Sequence, residues 1–200
     1  MQGKPISAAV GVLCAGRGTR FGSAKQLADL NGRPMVRWAM DAALASGLRP
    51  IVAVVGPGAA KVEAVLGQGI DVVRAPGARL GIAHSLAALV RSLEGWRQIG
   101  AVCVGLADQP LVGADAYRRL VSAYDAGATF AVATYGGQRG NPVLLARSLW
   151  PQVVALRGDV GARALMEVVP VVEIDCSDTG RPDDVDTVAD LARIADEMEH

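Results

Sequence analysis

Apolar residues in this chain fall into short unbroken runs that alternate with stretches of helical spacing. Ala8 to Cys14, Pro50 to Val55, Asp71 to Val73, Ala101 to Leu106, Thr129 to Tyr135 and Val169 to Ile174 are the runs. Ala8 to Cys14 and Ala101 to Leu106 read as buried strands and the β-branched Pro50 to Val55 as one covered on both faces, while the other three, which carry Asp71, Thr129, Thr134 or Glu173, read as further strands. Between them Val36, Met40, Ala43 and Leu44 recur at helical spacing, after Pro34 at a position suited to the first helical residue and before Gly47 as a stop. Further helical faces gather around Val62, Val65 and Leu66, along Ile82, Leu86, Leu89, Val90 and Leu93, over 115–126, and along Val185, Val188, Leu191, Ala192, Ala195 and Met198. Strand and helix in that alternation predict an α/β chain, a Rossmann-like three-layer sandwich with a mostly parallel sheet and right-handed crossovers. No repeat, low-complexity tract or linker interrupts it, so residues 1–200 are expected to form a single domain.

Composition sharpens this picture. Of 200 residues 51% are hydrophobic and 20% charged, enough apolar material for a substantial core. The formal net charge is zero, which gives no reason to expect a nucleic-acid or membrane-surface partner. Cys14, Cys103 and Cys176 are scattered and form no C-x-x-C pair, so free thiols in a reducing cytoplasm are expected, with neither a zinc site nor a disulfide framework. Lys4 followed by an apolar run to Cys14 is too short for a lipoprotein leader, and Leu13 stands where a small residue is needed. No stretch is long enough to span a bilayer.

The first predicted strand runs into a loop that holds Gly16, Gly18 and Gly22 together with Arg17, Arg20 and Lys25. Glycines at that density let backbone N–H groups turn toward an anion, and the three cations add full charges beside them. A mobile glycine turn is the plainer reading, but the spaced cations favour phosphate. The two commonest phosphate loops do not fit. No Gly-Lys-Ser/Thr is present, and Gly16-Arg-Gly-Thr-Arg-Phe21 fails G-x-G-x-x-G at its sixth position.

Other candidates follow in order. The buried run to Leu106 continues into Ala107-Asp-Gln-Pro110, which places Asp108 at the carboxyl edge of a sheet, as ligand or as a turn cap. Gly140-Asn-Pro142 reads as a turn, with Arg139 either an anion contact or merely solvated. Asp159 precedes a helical stretch as an N-cap candidate, and Arg163 falls in its first turns, for a salt bridge or a phosphate. The acidic cluster Asp183, Asp184 and Asp186 sits at a helix start, where dipole and cap chemistry alone would favour it. His84, near another helix start, reads as an ordinary polar or capping residue.

Leu13-Cys-Ala-Gly16 with Arg20-Phe-Gly22 and Lys25 resembles the L-A-A-G-x-x-x-R-x-G-x-x-K signature of the MobA-like nucleotidyltransferases, closest to the molybdenum cofactor cytidylyltransferase (MocA-like) group. Cys14 replaces the usual alanine. Gly81, Ser85 and Leu86 match its G-M-x-x-S-L element with Ile82 for methionine. Leu106-Ala-Asp-Gln-Pro110 is similar to L-x-D-Q-P, Gly140-Asn-Pro142 to G-x-P, Gly158-Asp-Val-Gly-Ala-Arg163 to G-D-x-G-A-R, and Asp184-Val-Asp-Thr187 to D-I-D-T.

The resemblance implies the nucleotide-diphospho-sugar transferase type of fold and an enzyme that joins a phosphorylated acceptor to a nucleoside triphosphate, releasing pyrophosphate. It implies nucleotide contacts from Leu13, Cys14, Ala15, Gly16, Arg17, Gly18, Thr19, Arg20, Lys25, Gly81, Ser85 and Asp108. Lys25, Arg20 and Asp108 become the catalytic residues, and Mg²⁺ is placed on Asp108 and Asp186, with Asp184 the substitute for the latter. Acceptor contacts fall to Gln109, Gly140, Asn141, Pro142, Asp159 and Arg163. The L-A-A-G form, with Ala15 and Phe21, implies CTP, and family membership implies molybdopterin as acceptor and a molybdoenzyme or its chaperone as recipient. Two alternatives stay open. One is transfer with GTP or to a sugar or alditol phosphate; the other, of a different class, is an NAD(P)H-dependent oxidoreductase.

Overall fold

A computed structural model of the protein describes residues 7–16, 21 and 25–199. β1 (Ser7–Leu13) is buried from Ala8 onward. A small ribbon of β2 (Asp29–Leu30) and β3 (Arg33–Pro34) turns at Asn31 and Gly32, both at positive φ. It delivers the chain into α1 (Met35–Ala45), with Pro34 one residue ahead of the helix at its N-cap. β4 (Ile51–Val55) is buried at every position; α2 (Ala60–Glu63) is a single turn that buries Val62; β5 (Asp71–Arg74) is a largely exposed strand. Then come α3 (Ile82–Leu93), β6 (Ile99–Leu106), α4 (Ala114–Asp125), β7 (Phe130–Tyr135), β8 (Gln138–Ala146), α5 (Trp150–Ala155), β9 (Val172–Asp175) and α6 (Val188–Met198).

Seven strands make one sheet in the order β5-β4-β1-β6-β8-β7-β9. β5, β4, β1 and β6 run parallel, β8 is antiparallel to both neighbours, and β9 is parallel to β7. The expectation of a mostly parallel sheet between helical layers therefore holds. On one face Val10, Val12, Ile51 and Ala53 pack with Val36 and Met40 of α1 and Tyr117 and Leu120 of α4. On the other, Ala9, Val52, Val54 and Val102 pack with Leu86 and Leu89 of α3 and with Trp150 and Val153 of α5. A Cβ on Gly11 would collide with the Leu89 side chain, so this glycine lets α3 settle close to the central strand.

Three expectations need correction. Gly140-Asn-Pro142 is not a turn but part of β8; the chain reverses earlier, at Gly136 and Gly137, both at positive φ. The register steps from Val132–Val143 to Thr134–Arg139, so residues 140–142 lie against an irregularity where proline's missing N–H breaks no regular ladder. Asp159 does not cap the stretch that follows it. That stretch is a 3₁₀ turn (Ala162–Glu167) with Gly161 at its cap, and Asp159 Oδ1 accepts from the Ile82 N–H of α3 at 3.4 Å. Finally, α6 starts at Val188 and not at Val185. Thr187 caps it in a reciprocal pair with Asp190, and Val185 turns into a small satellite core with Leu30, Met35 and Ile194.

Candidate active site

β1 and β6 are parallel neighbours with Leu13 opposite Leu106, so the chain leaves both strands side by side at the carboxyl edge. That edge is where open α/β sheets take ligands. The Ala107 N–H donates to Leu13 O at 3.1 Å and prolongs the pairing by one residue before Asp108. A third segment, 180–186, returns to the same edge. It is laced to the β6 exit by Arg181 N to Leu111 O at 3.1 Å and Val185 N to Asp108 O at 2.9 Å.

Lys25 joins these three segments. It opens a short 3₁₀ turn (Lys25–Leu27), and its buried ammonium donates to Asp108 Oδ2 at 2.7 Å, to Asp186 Oδ1 at 2.9 Å and to Val185 O at 3.2 Å. Burial by itself would lower its pKa. The hydrogen bond and charge of Asp108, followed by those of Asp186, outweigh that effect and hold it above the ordinary lysine value. Beside it, Gln109 is buried and donates Nε2 to Pro182 O at 3.1 Å and to Asp184 Oδ1 at 2.9 Å, while its own Oε1 is buried without a partner. The Asp184 carboxyl is pushed upward by burial and then by the charge of Asp108. Negative charge is thus concentrated here beyond what one ammonium neutralises.

Among the described residues, no three Asp, Glu, His or Cys side chains form a ready-made metal cage. Two carboxylates, Asp108 and Asp186, instead converge on an ammonium. That fits a hard cation of the Mg²⁺ class, which is held by one or two carboxylates together with substrate phosphates and seldom by an all-protein cage. Asp184 lies within electrostatic reach of both.

A broad cleft of about 750 Å³, lined by Cys14, Gly16, Gln26, Gly56 and Lys61 among others, opens on the β4 side of this edge, and two more gather the residues expected at the site. The first of these two, about 470 Å³, is lined by Leu13, Ala15, Gly16, Arg79, Leu80, Gly81, Ser85, Asp108 and Asp159 among others. It gathers most of the described residues to which nucleotide contact was ascribed. The second, about 290 Å³, has apolar walls from Leu13, Ile82, Leu86, Val104 and Val143, with Gln109, Asn141, Arg163 and Asp184 as its polar groups. Among the residues ascribed to the acceptor, Gln109, Asn141 and Arg163 meet here. Asp159 belongs to the first cleft, and Gly140 packs against Pro182 and Tyr135. Arg139 pairs with Glu173 at 2.7 Å, and His84 packs against Gly77. Arg17, Gly18, Thr19, Arg20 and Gly22 lie outside the described residues. Cys14 is buried, with its thiol pushed well up by burial and then by Asp108, so it contributes packing and backbone, not a nucleophile.

Gln26 escapes a reading from sequence, and Gly81, expected there as a nucleotide contact, makes a close backbone approach that the sequence does not reveal. Gln26 is buried and donates Nε2 to Cys14 O at 3.0 Å and to Gly16 O at 2.8 Å, fixing the backbone that leaves β1. Only its place beside Lys25 hints at this. Gly81, at φ 124, approaches Gly158 so closely that a Cβ would strike the Gly158 carbonyl. The two loops that border the first cleft are therefore in direct backbone contact, and the Gly158 carbonyl accepts from the Ala83 N–H at 3.2 Å.

Comparison with known proteins bears on the family and the fold. The MobA-like NTP transferase domain matches residues 10–174, and the chain belongs to that family. The bifunctional protein GlmU of Anaeromyxobacter sp. (strain Fw109-5) is 39% identical over 145 residues, which cover 67% of this chain and 28% of that protein. The chain thus spans little more than a quarter of this relative's length. Rv0371c from Mycobacterium tuberculosis H37Rv superposes with a TM-score of 0.83 at 27% identity, over 96% of this chain and 99% of that one. That protein is also known in complex with manganese. Molybdopterin-guanine dinucleotide biosynthesis protein A from Archaeoglobus fulgidus shares the fold, with a TM-score of 0.74 at 17% identity over 96% of this chain and 98% of that one.

Proposed function

We propose that residues 1–200 form one cytoplasmic nucleotidyltransferase domain that transfers CMP from CTP to the phosphate of molybdopterin and releases pyrophosphate. The observation that carries this reading is the convergence of Asp108 and Asp186 on Lys25, with Asp108 itself lining the cleft formed by Leu13, Ala15, Gly16, Gly81 and Ser85. In this reading an acceptor phosphate oxygen attacks the α-phosphorus in line as the bond to the β-phosphate oxygen breaks. Chemistry of this type asks a protein for positioning and charge neutralisation more than for proton transfer.

The roles divide between the two clefts. The first takes the triphosphate, with the loop after β1 and the turn at Gly81 as its walls. The second cleft, with apolar walls, takes the acceptor, with Arg163 exposed at its edge for the acceptor phosphate. Asp108 and Asp186 hold Mg²⁺, with Asp184 beside them. When bound, Mg²⁺ supplies charge neutralisation at the reacting phosphates. Lys25 donates to phosphate oxygens, and Gln109 keeps Asp184 in place. The choice of CTP rests on Leu13-Cys-Ala-Gly16, and that of molybdopterin on the family alone.

Pyrophosphate release with each nucleoside triphosphate, with and without molybdopterin and with Mg²⁺ or a chelator, tests this. Release that requires CTP, molybdopterin and the metal together is the expected result. Release with GTP, or with a sugar or alditol phosphate, would reassign the base or the acceptor. NAD(P)H oxidation without any triphosphate would overturn the transferase reading.

A further inference from the structure

Lys25 faces two incompatible demands. An ammonium has three protons, and those of Lys25 already have acceptors at Asp108 Oδ2 (2.7 Å), Asp186 Oδ1 (2.9 Å) and Val185 O (3.2 Å). None is left for a phosphate oxygen, yet the proposed reaction needs Lys25 on the triphosphate. The same two carboxylates are the ones that would hold the divalent cation. We propose that Lys25 occupies the cation's seat in the ligand-free protein, and that divalent-cation binding at Asp108 and Asp186 releases its ammonium to the triphosphate. This rests on the nucleotidyltransferase reading above.

Three observations support the exchange. Asp108, Asp184 and Asp186 place three carboxylates around one ammonium, so Lys25 leaves negative charge that a divalent cation balances better. The backbone on which Lys25 sits is fixed. Ala28 N donates to Lys25 O at 3.0 Å, and neighbouring Gln26 is clamped to Cys14 O and Gly16 O. Only the four-carbon side chain has to swing, and that stem is flexible. Finally, the Lys25 side chain passes beside Gly16, with Cε 3.8 Å from where a Cβ on Gly16 would stand, and both Gly16 and its partner Asp108 line the first cleft, so the ammonium lies next to the space assigned to the triphosphate. Metal and nucleotide would then bind cooperatively, with Lys25 as the coupling element.

The test measures binding without turnover. A non-hydrolysable CTP analogue is titrated calorimetrically into wild type, Lys25→Met and Asp186→Asn, with and without Mn²⁺, and Mn²⁺ alone is titrated by water-proton relaxation. Lys25→Met should weaken analogue binding about tenfold or more with Mn²⁺ present and leave it unchanged without the metal. The same variant should bind Mn²⁺ alone more tightly than wild type. Asp186→Asn, which removes one of the negative charges that hold Lys25 in place, should strengthen metal-free analogue binding. Equal weakening by Lys25→Met with and without Mn²⁺, or unchanged Mn²⁺ affinity, overturns the exchange. If wild type releases pyrophosphate while those effects are equal, the exchange fails and the transferase reading stands. If wild type binds no triphosphate with Mn²⁺, both fail.

Discussion

The Lys25 ammonium and the Asp108 carboxylate, 83 residues apart in sequence, meet at 2.7 Å at the carboxyl edge of the sheet. The pair ties the turn that follows the β1 loop to the end of β6, and Asp186 extends the link to the segment before α6. A buried ammonium with charged partners on two separate segments locks those segments into one arrangement, because leaving any one charge alone would be costly.

From that arrangement, Lys25→Ala and Asp108→Asn should each lower the turnover number for pyrophosphate release by about 100-fold or more, with a smaller change in KM. Steady-state kinetics with CTP as the varied substrate checks this. Wild-type turnover in either variant would remove these residues from the proposed chemistry.

Gln109 is a positioning residue whose amide holds Asp184 and the Pro182 carbonyl. Gln109→Leu should keep the fold, since Leu fills similar space, but should weaken Mn²⁺ binding about 10-fold or more by releasing Asp184. Relaxation titration of Mn²⁺, paired with a thermal melt, separates this from a purely structural role, which would lower the melting temperature without changing metal affinity.

Gly81→Ala would force a side chain into a left-handed backbone and onto the Gly158 carbonyl. The strained backbone alone should cost about 1–3 kcal/mol. The loops that border the first cleft should also move apart, so both the melting temperature and the affinity for a CTP analogue should fall. Gly47→Ala makes a useful control, because Gly47 also has a positive φ but a Cβ there would meet open space away from the cleft.

The start of α6 predicts a dependence on pH. Hydrogen bonds from the Thr187 side chain and backbone hold the Asp190 carboxyl below the usual carboxylate range, and Asp190 Oδ2 also accepts from the Asp186 N–H at 3.1 Å. A depressed pKa means stabilisation that is full above the ordinary carboxylate value and is lost as pH falls through the lower folded value. Asp190→Asn should therefore melt below wild type at pH 7, and the gap should narrow as the pH is brought under about 4. Thermal melts across that range decide it, and a gap independent of pH would show that the Asp190 charge contributes nothing.

Much of this protein was legible in its sequence because its signals are local. Unbroken runs such as Ile51–Val55 and helical spacing such as Leu86, Leu89 and Leu93 report burial on two faces or on one, and burial is what sorts these residues into strands and helices. The order of elements then constrains the sheet, since short parallel crossovers have one favoured hand. Glycines beside cations and a carboxylate just past a buried strand likewise mark a ligand edge without any knowledge of neighbours. What remained for the tertiary structure to decide was every relation between segments distant in sequence. Only the packed sheet shows that Lys25 faces Asp108 and Asp186, that Asp159 reaches α3 and not the turn after it, and that Gln109 spends its amide on Asp184. It also turned Gly140–Pro142 from an expected bend into strand, because the register with β7 absorbs the proline at an irregularity. Local periodicity determines which elements form, since it records only how each residue is buried; which side chains share a site depends on long-range pairing, which no local pattern encodes.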